Sequence, residues 1–542
     1  MPIANEPRRG QVRSDRTTGD ADGGAVQGAP PDAEHVRAGA ARVVRDPTLT
    51  YRQRVQQLAL VAENALPRPA VSAACHAALD ERVVCDMVEG NAPYRPRYVL
   101  PDYAQALRDG SAFLELPPPQ DLNEALWFLA SMYGSVPSIT GYPVYLGDLD
   151  SLLAPYTDGM TTAEIVPALR PFWRALDRMV PDAFAHANLG PRDTPVLRAV
   201  LRLERELKQV VPNLSLKVDA DTPDDLLVDA VETVFACAKP HFVHHEMMTA
   251  DHGEGYAAVS CYNALGIGGG SHTLPRLNLA ETVRRHEGST DAFFETTLPR
   301  YVELAAELME ARIRFLVEEA RFYDHSWLVQ EGLISLDRFS AMFGLFGLAE
   351  AVDELTRREG GDARYGHDDG ANALGLRITR AVAAQVAKRR MPYCDGFGGR
   401  AMLHAQSGID SDVGVTAGTR IPIGDEPDLY QHLATVAPHH ELFAAGVSDI
   451  LHFDETAERN PEAIVDVIRG AFQAGMREFT FNVEGNEFIR ITGYLVRKSD
   501  LAHVGTGARH ASTFLGAGNE EGAHCSQRAS KRVIAAERLG GS

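Results

Sequence analysis

The segment Val259-Ser260-Cys261-Tyr262-Asn263 runs directly into Gly266, Gly268, Gly269 and Gly270. A thiol ahead of a glycine-dense stretch stands where backbone can approach a ligand closely, because glycine carries no Cβ. The segment is not a nucleotide fingerprint. G-x-G-x-x-G would need glycine at Ser271, and a Walker loop would need a Lys-Ser/Thr pair that is missing. Read from chemistry alone, Cys261 is also open to the plainer role of a small buried hydrophobe beside a turn. Arg490-Ile491-Thr492-Gly493-Tyr494 sets a glycine between β-branched and aromatic residues, the usual mark of a bulge or strand bend. His244, His245, Glu246 and His252 have ligand-type side chains, but H-E-x-x-H fails at Thr249, so structural or substrate-contacting histidines are expected rather than a metal. His439 and His440 follow Pro438 and are expected to pack at a turn. Cys394 is expected to be a buried, inert thiol, with a place in the same cavity as the alternative. Thiol hydrolysis by Cys261 with His272 as base is a further arrangement, one that leaves the Gly493 segment unexplained.

These residues belong to a chain of 542, with 53 Lys and Arg against 74 Asp and Glu and a formal net charge of −21. A polyanion-binding protein needs a basic footprint, so the acidic balance argues against nucleic acid as a partner. With 45% hydrophobic and 23% charged residues the composition is ordinary for a globular protein. A chain this long buries roughly three quarters of its unfolded surface and needs no disulfide or structural metal to fold. The six cysteines, at 75, 85, 237, 261, 394 and 525, contain no C-x-x-C pair. That removes a zinc ribbon and points to a reducing compartment. No apolar run approaches the roughly 18–20 residues of a membrane span. The N-terminus has neither the apolar core of a secretory signal nor the make-up of a transit peptide. A cytoplasmic protein without a membrane partner is expected.

The elements that must position Cys261 and Gly493 are partly readable. Residues 1–34 hold no Leu and no aromatic side chain and cannot offset the entropy of ordering, so a disordered tail is expected over 1–46. From Tyr51 to about Val504 apolar residues recur with no long linker and no fixed repeat, as in one large domain. Leu304, Leu308, Ala311 and Phe315 recur at helical steps. Asn460 suits an N-cap, Pro461 the first helical position and Gly475 a stop. Phe479, Phe481 and Val483 alternate as in a strand. A loop at Glu484-Gly485-Asn486-Glu487 then precedes Phe488–Val496. Helices and strands interleave, and the fold class is α/β.

The segment around Gly493 resembles the radical loop of the glycyl radical enzymes, which reads Arg-Val-Ser-Gly-Tyr or a close variant, with Ile491 and Thr492 as conservative replacements. Further likeness lies in Pro212-Asn213-Leu214-Ser215-Leu216 with Thr222-Pro223, similar to a barrel strand of that superfamily. Asp148-Leu149-Asp150 with Leu153-Ala154-Pro155-Tyr156 is similar to the anaerobic ribonucleotide reductases. Gly344-Leu345-Phe346-Gly347-Leu348 with Glu350 matches a shared helix-and-turn element. Thr419–Pro427 and Thr492–Ser499 look most like the YjjI-type members, and the likeness spans roughly residues 50 to 510.

The resemblance implies a ten-stranded α/β barrel in which a Cys261 loop and a Gly493 loop meet. Its parts are a barrel over 47–395, a glycine radical region over 396–510 and a tail over 511–542. Gly493 is then the modified residue, a glycyl radical installed by a partner radical S-adenosylmethionine enzyme, with no bound cofactor or metal. Only glycine lets Cα become planar without a side-chain clash, which suits it to store the radical. Cys261 would pass the radical to a small organic substrate as a thiyl. Ser260 stands where the pyruvate formate-lyases have a second cysteine, which argues against acyl transfer. Asn263 replaces the glutamate of the Cys-x-Glu branches and is no useful base. Only Cys525 lies beyond Arg490, so the four-cysteine zinc site of the reductases cannot form. The expected function is an anaerobic, oxygen-sensitive radical enzyme, with a homodimer as the assembly the resemblance allows. The alternatives are a ribonucleotide reductase-like activity and a non-catalytic relative, and the second has no need to keep both Cys261 and Gly493.

Overall fold

The structure is a computed structural model that describes residues 31–501, except positions 48, 50, 88, 138–142, 181–184, 261, 406–413, 448 and 491–494. Cys261 and Gly493 both lie outside the described residues, as do the 511–542 tail and the first thirty positions. The first described helix, Ala33–Arg45, corrects the expected 1–46 tail in part. Its one buried residue, Gly39, lies against Val61 of the helix Tyr51–Asn64, so pairing with a second helix supplies the apolar contact that its own composition lacks.

Among the described residues the strands are β1 (Val84–Cys85), β2 (Tyr98–Leu100), β3 (Tyr145–Asp148), β4 (His186–Leu189), β5 (Asn213–Val218), β6 (His241–His244), β7 (Tyr256–Val259), β8 (Asn263–Gly266), β9 (Gly269–Ser271), β10 (Arg276–Asn278), β11 (Phe339–Phe346), β12 (Ala401–Ala405), β13 (Asp449–Phe453), β14 (Glu478–Val483), β15 (Phe488–Arg490) and β16 (Leu495–Arg497). They form two six-stranded sheets and two hairpins. The first sheet has the order β13-β14-β6-β5-β4-β3. It is parallel from β3 to β6 and turns antiparallel where β14 meets β6. The second is built on β11, which pairs in parallel with β9, β10 and β12, with β1 and β2 added antiparallel at the edges. The α/β class is as expected. Strands from 396–510 complete both sheets, β12 on β11 and β14 on β6, so that region is woven into the same body as the rest.

The helices follow their sequence signals. Asn460 caps the helix Pro461–Gln473 by accepting from the Ala463 amide, with Pro461 in the first turn, where its missing N–H is not needed. The helix Leu298–Arg314 buries Leu304 and Leu308, and Phe315 begins the wider turn that follows it. Gly344–Glu350 is a strand, turn and helix: β11 ends at Phe346, Gly347 turns with φ 77°, and the helix Leu348–Arg358 begins.

The first sheet has two unlike faces. Ala187, Leu189, Leu214, Leu216, Phe242, Phe479 and Phe481 alternate onto one side, against the helices Pro195–Leu207, Asp224–Cys237 and Pro461–Gln473. Phe472 meets Phe479 at 5.3 Å between ring centroids, and Phe235 meets Phe481 at 5.8 Å. The other side carries His186 and Asn188, then Asn213, Ser215 and Lys217, then His241, and finally Glu478, Thr480 and Asn482. It is polar and yet fully buried, with His186, Asn213, Ser215, His241 and Glu478 at 0% exposure. An ordinary sheet turns such a face to water. A buried polar face is the informative departure.

Candidate active site

Part of what covers that face is the β7–β8 hairpin. Asn188 grips its first strand from both sides, donating to the Ala258 carbonyl (2.7 Å) and accepting from the Ala258 amide (2.9 Å). Lys217 donates to the Tyr256 carbonyl (3.0 Å) and to Asp148 (2.8 Å). Val259 pairs with Asn263, and Ser260 and Tyr262 lie in the turn between them. Ser260 (φ 55°) and Tyr262 (φ 69°) both have left-handed backbone, a sparsely populated state for side chains of their kind. The glycines that follow do not make this turn. Gly269 and Gly270 lie in β9, where the Arg338 and Tyr98 carbonyls leave no room for a Cβ. The second sheet holds the turn as well. Tyr98 on β2 is 3.4 Å from both Ser260 Oγ and Asn263 Nδ2, and the Ala264 amide donates to the Ala445 carbonyl (2.9 Å). Asn263 also donates to the Val259 carbonyl (3.1 Å), closing the hairpin in place of acting as a base.

Tyr262, the residue after Cys261, reaches two buried imidazoles. Its ring lies 4.6 Å from the His241 ring, and His241 lies 5.3 Å from His186. The hairpin that flanks Gly493, β15–β16, arrives at the same pair. Arg490, three residues ahead of Gly493, is fully buried and donates to Asn213 Oδ1 (2.6 Å) and the Ala238 carbonyl (2.9 Å). Its backbone exchanges two 2.8 Å bonds with the Asn482 amide. Burial, and after it the positive charge of Arg490, hold His241 well below the ordinary imidazole range and His186 down to about 3. Both rings are therefore neutral.

Ser215 stands between His186 and the strand beyond. Its hydroxyl lies 2.9 Å from His186 Nε2 and donates to Glu478 Oε1 at 3.3 Å, and the same oxygen is 3.4 Å from His241 Nδ1. Burial pushes the Glu478 carboxyl up to about 8, so it keeps its proton at neutral pH. Sequence reading did not find His186, His241, Ser215 or Glu478. The available signal was the strict polar-apolar alternation of His186–Leu189, Asn213–Val218 and Glu478–Val483.

The other candidates fall outside this cluster. Both nitrogens of His272 are committed, Nε2 to the Tyr393 carbonyl (2.7 Å) and Nδ1 to the Tyr323 hydroxyl (2.8 Å), which leaves none to activate a thiol. Cys394 is buried, and desolvation raises its thiol to about 12, as an inert thiol requires. His244 and His245 face Glu246 and Glu254 at 3.4 and 3.8 Å, and His252 bonds the Ala444 carbonyl. Among the described residues no group of His, Cys, Asp and Glu could hold a metal ion. His439 and His440 end the helix Leu429–His440, which runs through Pro438, so they sit in its last turn and not in a loop.

A two-sheet body of this kind is found in solved glycyl radical enzymes. Hydroxyproline dehydratase from Clostridioides difficile aligns over 88% of this chain and 87% of its own, with 12% identity and a TM-score of 0.64. The anaerobic ribonucleotide reductase of Thermotoga maritima aligns over 86% and 88%, with 12% identity and a TM-score of 0.61. Sequence likeness is narrower: residues 49–531 match the model of the glycyl radical enzyme YjjI-like family, and the chain belongs to that family. It is 51% identical over 481 residues to the uncharacterised protein YjjI of Escherichia coli K12, covering 88% of this chain and 92% of that one. An uncharacterised protein of Haemophilus influenzae is 37% identical over 494 residues, covering 90% and 96%. The family is one of enzymes that use a protein-based glycyl radical. Among the described residues no helix is long and apolar enough to cross a membrane.

Proposed function

We propose that the protein is a glycyl radical enzyme in which Gly493 stores the radical and Cys261, as a thiyl, takes a hydrogen atom from a small organic substrate. The two sheets then act as the halves of the family's barrel, with the Cys261 and Gly493 loops meeting between them. A radical S-adenosylmethionine enzyme is the activating partner. The observation that carries this reading is the convergence of the residues beside Cys261 and beside Gly493 on the His186–His241 pair, within a polar face closed to water. Exclusion of water and a fixed geometry are what a barrel contributes to such chemistry. The names of the structural neighbours speak of hydroxyproline, glycerol and ribonucleotides, all small molecules rich in oxygen.

Anaerobic activation should give a spin-resonance doublet, from coupling of the unpaired electron to the one hydrogen left on Gly493 Cα. Gly493→Ala should abolish the doublet. Cys261→Ser should keep it and show no turnover, because a hydroxyl hydrogen is held too strongly for a glycyl radical to remove. An undiminished doublet in the alanine variant overturns the assignment of Gly493. Turnover in the serine variant overturns the relay.

A further inference from the structure

The buried polar face holds groups whose hydrogen-bonding capacity is unspent. Glu478 Oε1 accepts from Ser215, while Oε2, equally buried, has no partner among the described residues. His241 Nε2, on the neighbouring strand, has none either. Unpartnered polar atoms in a closed interior are rare and carry a desolvation penalty. A protonated carboxyl has an O–H to give, and a neutral imidazole has a lone pair to offer. The two side chains lie 3.4 Å apart at their facing atoms, and His241 stacks on the residue that follows Cys261. Asn263 leaves the acid/base position beside the cysteine empty of chemistry, so a proton-transfer group has to come from another strand.

We propose that Glu478 and His241 are the acid/base pair of the radical reaction, acting on a substrate that carries oxygen both at the attacked carbon and at its neighbour. This rests on the radical reading of Cys261 and Gly493. The Cys261 thiyl takes a hydrogen atom, breaking C–H and forming S–H. A hydroxyl on a carbon radical is far more acidic than in the parent alcohol, and its proton passes to His241 as the carbonyl forms. Glu478 gives its proton to the oxygen leaving the neighbouring carbon, and the electron pair of that C–O bond leaves with it. The product radical recovers a hydrogen atom from the Cys261 thiol. The imidazolium and carboxylate left behind return to neutral by one proton transfer, so no oxidant or reductant is consumed. Each partner is a poor ion alone in this interior, and together they ionise as a pair. The charged and titratable groups facing Glu478 are His241 on β6, Tyr256 on β7, and Arg477 and Arg490 to either side along the chain, with His186 reached through Ser215.

Infrared difference spectra of the unactivated full chain against Glu478→Gln test the pair with glycerol as the probe, a neutral molecule with adjacent hydroxyls. At pH 7 the wild type should show the carbonyl stretch of a protonated carboxyl that the variant lacks. The band should titrate away near pH 8 and shift when glycerol is added. No such band, or a band that glycerol leaves unmoved, overturns the proposal. Ser215→Ala keeps the carboxyl and removes its donor, so it should retain the band at a displaced position even if Glu478→Gln folds poorly. Spin resonance on the same samples separates the two readings. A doublet in wild type and Glu478→Gln without the ligand-sensitive band removes the acid/base pair alone, and absence of a doublet in wild type removes the radical reading. Where a substrate turns over, Glu478→Gln should lower kcat about 10²- to 10⁴-fold with the radical yield unchanged.

Discussion

Burial of Glu478 has a thermodynamic consequence that needs no substrate to observe. Its ordinary value is 4.5 and its folded value about 8. Between those values the native state holds a proton that the unfolded chain has lost, so stability falls as pH rises through that window and levels above it. Asp150, raised by burial to about 7, acts in the same direction over the lower part of the window. His186 and His440, both lowered to about 3, act in the opposite sense. The unfolded chain takes up their protons below 6.5 and the folded chain does not, so stability is lost as pH falls from there. From pH 6.5 to 8 the unfolded chain is still releasing histidine protons, which adds stability in both proteins, so Glu478 is read from the difference between wild type and Glu478→Gln. Denaturant unfolding should show the wild type losing about 2 kcal/mol relative to Glu478→Gln over that interval. Equal slopes in the two proteins show that the carboxyl is already ionised at pH 6.5.

At the scale of the element, the hairpin that carries Cys261 is the part the sequence disclosed least. Its position beside a glycine run was legible, but the turn is made by Ser260 and Tyr262 in left-handed backbone, a state no residue type there would suggest. What holds it is contact from distant segments. Gly446, with φ 107°, lies so close to the Tyr262 carbonyl that a Cβ would collide with it. Gly446→Ala should therefore shift the Cys261 turn and leave the β15–β16 hairpin untouched. The expected outcome is an activated protein with a normal radical doublet and turnover at least about 10²-fold lower, the scale of loss that a displacement of about 1 Å produces. Full activity in that variant shows that the turn does not depend on this contact. The polar faces of β4, β5 and β14 were hidden for a related reason. Alternation reads as one face to solvent, and only the hairpin and the second sheet, both non-local in sequence, turn that face into an interior. The capped helix at Asn460 and the strand at Phe479 were legible because their signals are local.

Across the whole molecule, the two hairpins differ in how they are attached, and that difference decides which can leave. The β7–β8 hairpin is bonded to both sheets and continues directly into β9, so drawing it out would disturb β2, β4, β5 and β9 together. The β15–β16 hairpin follows the last strand of the first sheet and, among the described residues, pairs only with itself. A two-stranded hairpin alone has little stability of its own. Its ties include the Asn482–Arg490 exchange, the Arg490 guanidinium on Asn213 and Ala238, and Arg497 on the Lys208 carbonyl, and Gly485, with φ 79°, turns the chain just ahead of it. On the proposed radical reading, an activating enzyme reaches Gly493 by withdrawing this C-terminal hairpin, since local opening runs through weakly bonded units, and the same opening would admit oxygen. Activated protein exposed to air should be cut at the radical residue, giving one large fragment ending near Gly493 and a C-terminal piece of about fifty residues. Mass spectrometry of the air-treated sample reads both, and the Gly493→Ala variant should stay whole. A chain that remains intact after a confirmed radical signal means that the hairpin stays closed to oxygen, and withdrawal is then not the route of activation.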